Sequence, residues 1–110
     1  MLVKLNDGYG LGNTLLCPCC GGEYLHHDTV SVFMRPEDAE KTLVTTATAS
    51  ASITDLLPSN VSGNPSSRRG GITISFWCES CHGDPEHADR PLFKLHIAQH
   101  KGNTFLNWEV

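Results

Sequence analysis

Cys17-Pro18-Cys19-Cys20-Gly21 is a C-P-x-C-G turn, and far along the chain Cys78-Glu79-Ser80-Cys81 repeats the C-x-x-C spacing. Two thiolates separated by two residues grip one edge of a tetrahedral metal from a single tight turn. A second such turn completes a four-thiolate site. Gly21 supplies the positive φ that the chain needs just after the second cysteine. The sequence holds five cysteines, so a full disulfide framework leaves one over. Its opening, Met1 to Asp7, lacks the apolar core of an export signal. The expected compartment is therefore the cytoplasm, where reducing conditions favour metal over disulfides at paired cysteines. The reading is a Zn²⁺ site made by Cys17, Cys20, Cys78 and Cys81, clamping two distant parts of one small domain. Structural zinc contributes about 10–16 kcal/mol in peptide systems, more than a modest core supplies by itself.

These residues resemble the zinc-ribbon family, whose signature is two C-x-x-C knuckles on β-hairpin turns. Cys17, Pro18, Cys20 and Gly21 match the first knuckle, and Cys78 and Cys81 match the second. The resemblance covers the knuckles and their flanking strands and is strongest to small zinc-ribbon proteins of bacteria and phages. It implies a binding module rather than a catalytic fold, such as an accessory factor or an inhibitor of a host nucleic-acid-binding system. Two features depart from the pattern: a long insertion between the knuckles, and Cys19 in the x position. Cys19 reads as a spare thiol beside the site, with replacement of Cys17 or Cys20 as the alternative.

A competing metal reading starts from His96-Ile97-Ala98-Gln99-His100. With Cys78 and Cys81 it gives C-x2-C-x14-H-x3-H, close to a C2H2 finger. Asp89 would cap a helix with Pro91 in its first turn. That reading strands Cys17 and Cys20. It also ignores the alternation of Phe93, Leu95 and Ile97 against Lys94 and His96, which reads as a strand. Lys101-Gly102-Asn103 then turns into a final strand through Trp108. Mixed ligation, with one His replacing one Cys, stays compatible with the spacing.

The 110 residues form one domain, with 8 Lys+Arg against 12 Asp+Glu and a formal net charge of −4. No apolar run approaches the length of a membrane span, so no membrane partner is expected. Val30, Val32 and Met34 alternate in a strand within Glu23–Met34, and Ile72, Ile74 and Phe76 do so before the second knuckle. Pro36 with two acids favours one helical turn through Lys41. Residues 42–71 read as a low-complexity insertion. Period-two alternation over residues 43–54 fits a single edge strand, and Asp55 to Gly71 reads as a mobile loop. The fold class is mostly β, a three- or four-stranded antiparallel sheet carrying the knuckles at one end. Trp77 and Trp108 are expected in the core or on a sheet face.

A four-thiolate zinc site has no open position for water, so the expectation is no enzyme. A deaminase needs P-C-x-x-C after H-x-E, and Gly22 stands where its second cysteine belongs. The histidine pairs His26-His27 and His82 with His87 read as surface residues. The expected role is docking on a protein partner, which the acidic balance suits. The alternative is a nucleic-acid-binding ribbon using Arg68, Arg69, Lys94, His96, His100 and Lys101 beside Trp108, an aromatic-basic surface of the kind that holds single strands.

Overall fold

Alternating apolar and polar residues make strands, and the strands here pair mostly as successive hairpins, with one central pairing between strands that are not consecutive in sequence. The computed structural model describes residues 1–81 and 93–110. The expected Asp89 cap, Pro91, His82 and His87 lie outside the described residues. A small sheet pairs β1 (Leu5–Asp7) with β2 (Asn13–Leu15). The main sheet contains β3 (Leu25–Met34), β4 (Lys41–Ala47), β5 (Ser52–Pro58), β6 (Gly71–Cys78), β7 (Phe93–His100) and β8 (Asn103–Glu109). Its spatial order is β5-β4-β3-β6-β7-β8, antiparallel throughout. The class is mostly β and zinc-ribbon-like, with no α-helix among the described residues. Among them no helix is long and apolar enough to cross a membrane.

The main sheet has six strands rather than the three or four expected, because the insertion folds into it. Residues 43–54 are not one strand. They break at Thr48–Ala51, where the Thr48 amide donates to the Ala51 carbonyl at 2.9 Å. The Thr48 hydroxyl oxygen also accepts from the Ser50 and Ala51 amides. This local side-chain bonding competes with the ladder and turns the chain, so β4 and β5 become a hairpin. Residues 55–58 belong to β5. A 3-10 turn at Ser59–Val61 follows, and the rest of the segment is tied down by hydrogen bonds. Ser66 donates to the Gly70 carbonyl at 2.7 Å and accepts from the Gln99 amide at 2.9 Å. The expected helical turn after Pro36 is a tight turn, closed by the Ala39 amide on the Pro36 carbonyl.

A bulge in β3 explains an otherwise puzzling pattern. Leu25 is an odd position, whereas Val30, Val32 and Met34 are even. The register shifts between His27 and Val30, and the extra residue returns all four to the same side of the sheet. Leu25 thus stands opposite Cys78, and Val30 opposite Ile74. That side holds the core. Cys17, Cys78, Phe93, Leu95 and Trp108 are buried together, with Val3, Leu15, Leu25 and Phe76 packed against them. Phe76 and Phe93 meet Trp108 edge-on, at centroid distances of 5.6 and 5.4 Å, the geometry that aligns positive ring edges with negative faces. The N-terminal segment closes over this end through the Trp108 amide, which donates to the Met1 carbonyl at 3.0 Å.

Candidate metal centre

The first knuckle is built before β3 and the second at the end of β6. The Gly21 amide donates to the Cys17 carbonyl at 3.0 Å, and the Cys17 amide donates to the Gly22 carbonyl at 2.8 Å. Gly21 has φ +76, the left-handed geometry that its place after Cys20 requires. The Glu79 amide bonds the Tyr24 carbonyl and so holds the second turn beside the first. The Leu25–Cys78 pairing continues that alignment into the sheet.

The sulfurs of Cys17, Cys20, Cys78 and Cys81 all lie within 4.8 Å of one another. Cys17 Sγ is 3.4 Å from Cys81 Sγ, and Cys20 Sγ is 3.6 Å from Cys78 Sγ. These separations are far beyond a disulfide bond. Four sulfurs at tetrahedral corners, each 2.3 Å from a zinc-sized ion, stand about 3.8 Å apart, close to both observed distances. The donor set therefore fits a metal ion. Two amides already point at the sulfurs: Cys19 N–H donates to Cys17 Sγ at 3.3 Å, and Gly22 N–H to Cys20 Sγ at 3.4 Å. Such bonds favour thiolate over thiol.

The thiols do not ionise alike. Burial resists ionisation of Cys17, but amide bonds from Cys20 and Cys19 and contacts with the Cys81 and Cys20 thiols outweigh it, bringing Cys17 down to about 7. Burial raises Cys78, and burial with the thiols of Cys20, Cys17 and Cys78 raises Cys81 well above the usual range. Metal-free, the cluster thus favours a negative charge at Cys17 and resists it at Cys78 and Cys81, as expected of like charges crowded together. A divalent cation removes that conflict. Cys19 is exposed and stands outside the four-sulfur group. Burial and the neighbouring Cys17 charge raise its pKa.

The histidines expected in the C2H2 reading lie on β7, a strand, not on a helix. His96 is engaged elsewhere: Nδ1 is 2.9 Å from the Thr73 hydroxyl and Nε2 is 2.9 Å from the Glu109 carboxylate. That bond to His96, with its charge, holds Glu109 below the usual carboxylate range. Neither His96 nor His100 joins the sulfur cluster.

The six basic candidates share one region only in part. Lys94, His96 and His100 line one face of β7, while Trp108 lies on the opposite face, where it pairs with Leu95. It is 2% exposed, so it offers no stacking surface. Phe105 is the aromatic beside His100, with ring centroids 6.5 Å apart. Arg68, Arg69, His100 and Lys101 do line one concavity of about 180 Å³, together with Glu37. There the two arginines are paired with acids. Arg68 binds Asp38 through two guanidinium nitrogens and lies 3.4 Å from Glu37, and Arg69 lies 3.2 Å from Glu37. The Arg68 bond holds Asp38 below its usual pKa. Sequence reading missed these partners, although Pro36-Glu37-Asp38 stood out as an acidic turn.

Trp77 stacks on His26 at 4.2 Å and 11°, and His26 Nε2 is 2.6 Å from the Glu79 carboxylate. A cavity of about 450 Å³ flanks the first knuckle, lined by Met1, Lys4, Leu16, Cys17, Cys19 and Trp108 among others. No protein-family model, curated protein or solved structure matches this chain.

Proposed function

We propose that this chain is a non-enzymatic protein-docking module, pinned by a structural Zn²⁺ bound to Cys17, Cys20, Cys78 and Cys81. The observation that carries the reading is the approach of four sulfurs, two from each knuckle, to within 4.8 Å. Sulfur-only tetrahedral donor sets suit zinc held for structure, with iron the other metal they take. With all four corners filled by thiolates, zinc has no position at which to activate water, so its contribution is to the fold. The zinc-ribbon resemblance supports the same role. The net charge of −4 suits a partner with a basic surface. An accessory factor or inhibitor that occludes a nucleic-acid-binding protein fits that charge. The acid pairing of Arg68 and Arg69 favours this over direct nucleic-acid binding, which depends on unspent cations.

Native mass spectrometry and cobalt substitution test the metal. The expected result is one zinc per chain and the intense charge-transfer bands of a four-thiolate cobalt site; a metal-free folded chain overturns it. A tagged pull-down from native lysate, with and without nuclease, tests the docking. A specific protein that survives nuclease is expected, and partners that vanish with nuclease would make the chain a nucleic-acid binder.

A further inference from the structure

The side of the main sheet that carries the core is covered at its knuckle end and open at the other. Pairing across the strands places Val32, Ile72, Ile97 and Leu106 in one row on this side. Met34, Leu43 and Leu56 form the next row outward. None of these seven residues is buried among the described residues, and Met34 and Leu56 are 60% and 61% exposed. A sheet face this apolar is stable in water only when a second layer covers it.

Two properties say what that layer is. Outside the bulge, Lys41 at the far rim is the charged strand residue on this face, so no strand carboxylate of one copy opposes one of the other there. The polar side chains within these two rows are also paired with one another. Thr45 and Thr54 share a hydroxyl bond at 3.0 Å, and the Gln99 side-chain amide donates to the Thr104 hydroxyl at 2.6 Å. The face asks nothing polar of its partner. An uncharged, internally satisfied sheet face is matched by its own twin, because twisted sheets pack on each other at about 30° without special polar contacts. Six strands about 4.8 Å apart and two rows about 6.8 Å apart give roughly 400 Å² per copy. The total of roughly 800 Å² is the size of a weak, transient contact rather than of an obligate dimer.

We propose that this open face is the contact between two copies of the chain, a weak and concentration-dependent dimer closed by sheet-on-sheet packing. The inference goes beyond the docking reading and does not depend on it, since neither zinc nor an outside partner enters the argument.

Sedimentation of the full chain from about 10 μM to about 1 mM tests it, in the affinity range that so small an interface allows. The expected mass rises from the 12.0 kDa of one chain toward twice that value. Met34→Lys and Leu56→Lys each weaken association about tenfold or more. Both positions are exposed, and far-UV circular dichroism checks that the folds are kept. Ile53→Lys is the control: Ile53 is 65% exposed on the same edge strand, but its pairing with Thr46 places it on the other face. A single-chain mass at the highest concentration overturns the proposal. So does association that survives both Met34→Lys and Leu56→Lys. Dissociation by Ile53→Lys as strong as by Leu56→Lys would assign the contact to the β5 edge and overturn the face.

Discussion

Cys19 and Cys20 are adjacent in sequence, yet one knuckle geometry has room for only one of them. Cys20 Sγ faces Cys78 Sγ at 3.6 Å, whereas Cys19 is outside the cluster and open to solvent. Cys20→Ser is therefore expected to lower metal affinity at least about 100-fold and to destabilise the fold, since a site with one ligand lost no longer offsets the crowding of its thiols. Cys19→Ser should keep one metal per chain and an unchanged melting temperature. Metal analysis of the two variants after dialysis distinguishes them. The same site predicts a pH dependence with a definite sign. Metal displaces protons from the thiols, so affinity falls as pH falls. Cys17 alone is drawn down, to about 7, while Cys78 and Cys81 are raised. Above about 7 Cys17 is already ionised and releases no proton on binding. Below it, Cys17 must release one too. The slope of log affinity against pH should then steepen by about one proton as pH drops through about 7. Competition with a chromophoric chelator across that range reads it, and Cys17→Ser should abolish the step.

At the scale of elements, much of the architecture was legible because the alternation was strong. Phe93, Leu95 and Ile97 against Lys94 and His96 marked β7, and Ile72, Ile74 and Phe76 marked β6. The sulfur cluster was legible because C-x-x-C spacing encodes a turn that needs no distant information. The β4–β5 hairpin was not, because its turn is made by Thr48 and Ser50, residues that also occur in strands. The loop after Pro58 was misread for a related reason. Asn64, Pro65, Gly70 and Gly71 look like loose punctuation, but their order comes from tertiary contacts. A Cβ on Gly71 would stand 2.7 Å from Asn64 Oδ1 and 2.9 Å from Pro65 Cγ, so the loop lies directly on β6. Thr42 shows the other anchor: fully buried, its hydroxyl is 2.8 Å from that of Ser59, which in turn donates to the Ala39 carbonyl. Thr42→Val keeps the shape and removes the hydroxyl. The expected cost is about 1–2 kcal/mol, because a buried hydrogen bond is lost while its partner stays in place. Gly71→Ala should cost a similar amount by displacing the loop. Urea unfolding of each variant checks both.

For the whole molecule, the decisive fact is how unevenly the core is distributed along the sheet. Among the described residues, the buried apolar ones are Cys17, Phe33, Cys78, Phe93, Leu95 and Trp108. All but Phe33 form one cluster, and two of its members are themselves cysteines of the four-sulfur group. Among the described residues, the far end from β4 to β5 has main-chain ladders, threonine pairs and the buried Thr42, but no buried apolar side chain on either strand. Hydrogen bonds alone give small net stability, so that end depends on the knuckle end to stay folded. Removing the metal leaves Cys17, Cys78 and Cys81 crowded without a cation, beneath the tryptophan that fills the core. The sheet should then unfold as one unit rather than fray at the knuckles. Titration with a strong chelator under reducing conditions is expected to shift tryptophan emission to the red, as the 2%-exposed Trp108 meets water. The far-UV strand signal should be lost at the same chelator concentration. Coincidence of the two transitions is the mark of a single cooperative unit. If Trp108 emission shifted while the strand signal persisted, the strands would be holding themselves, and the metal would be a clasp on one end rather than the anchor of the fold.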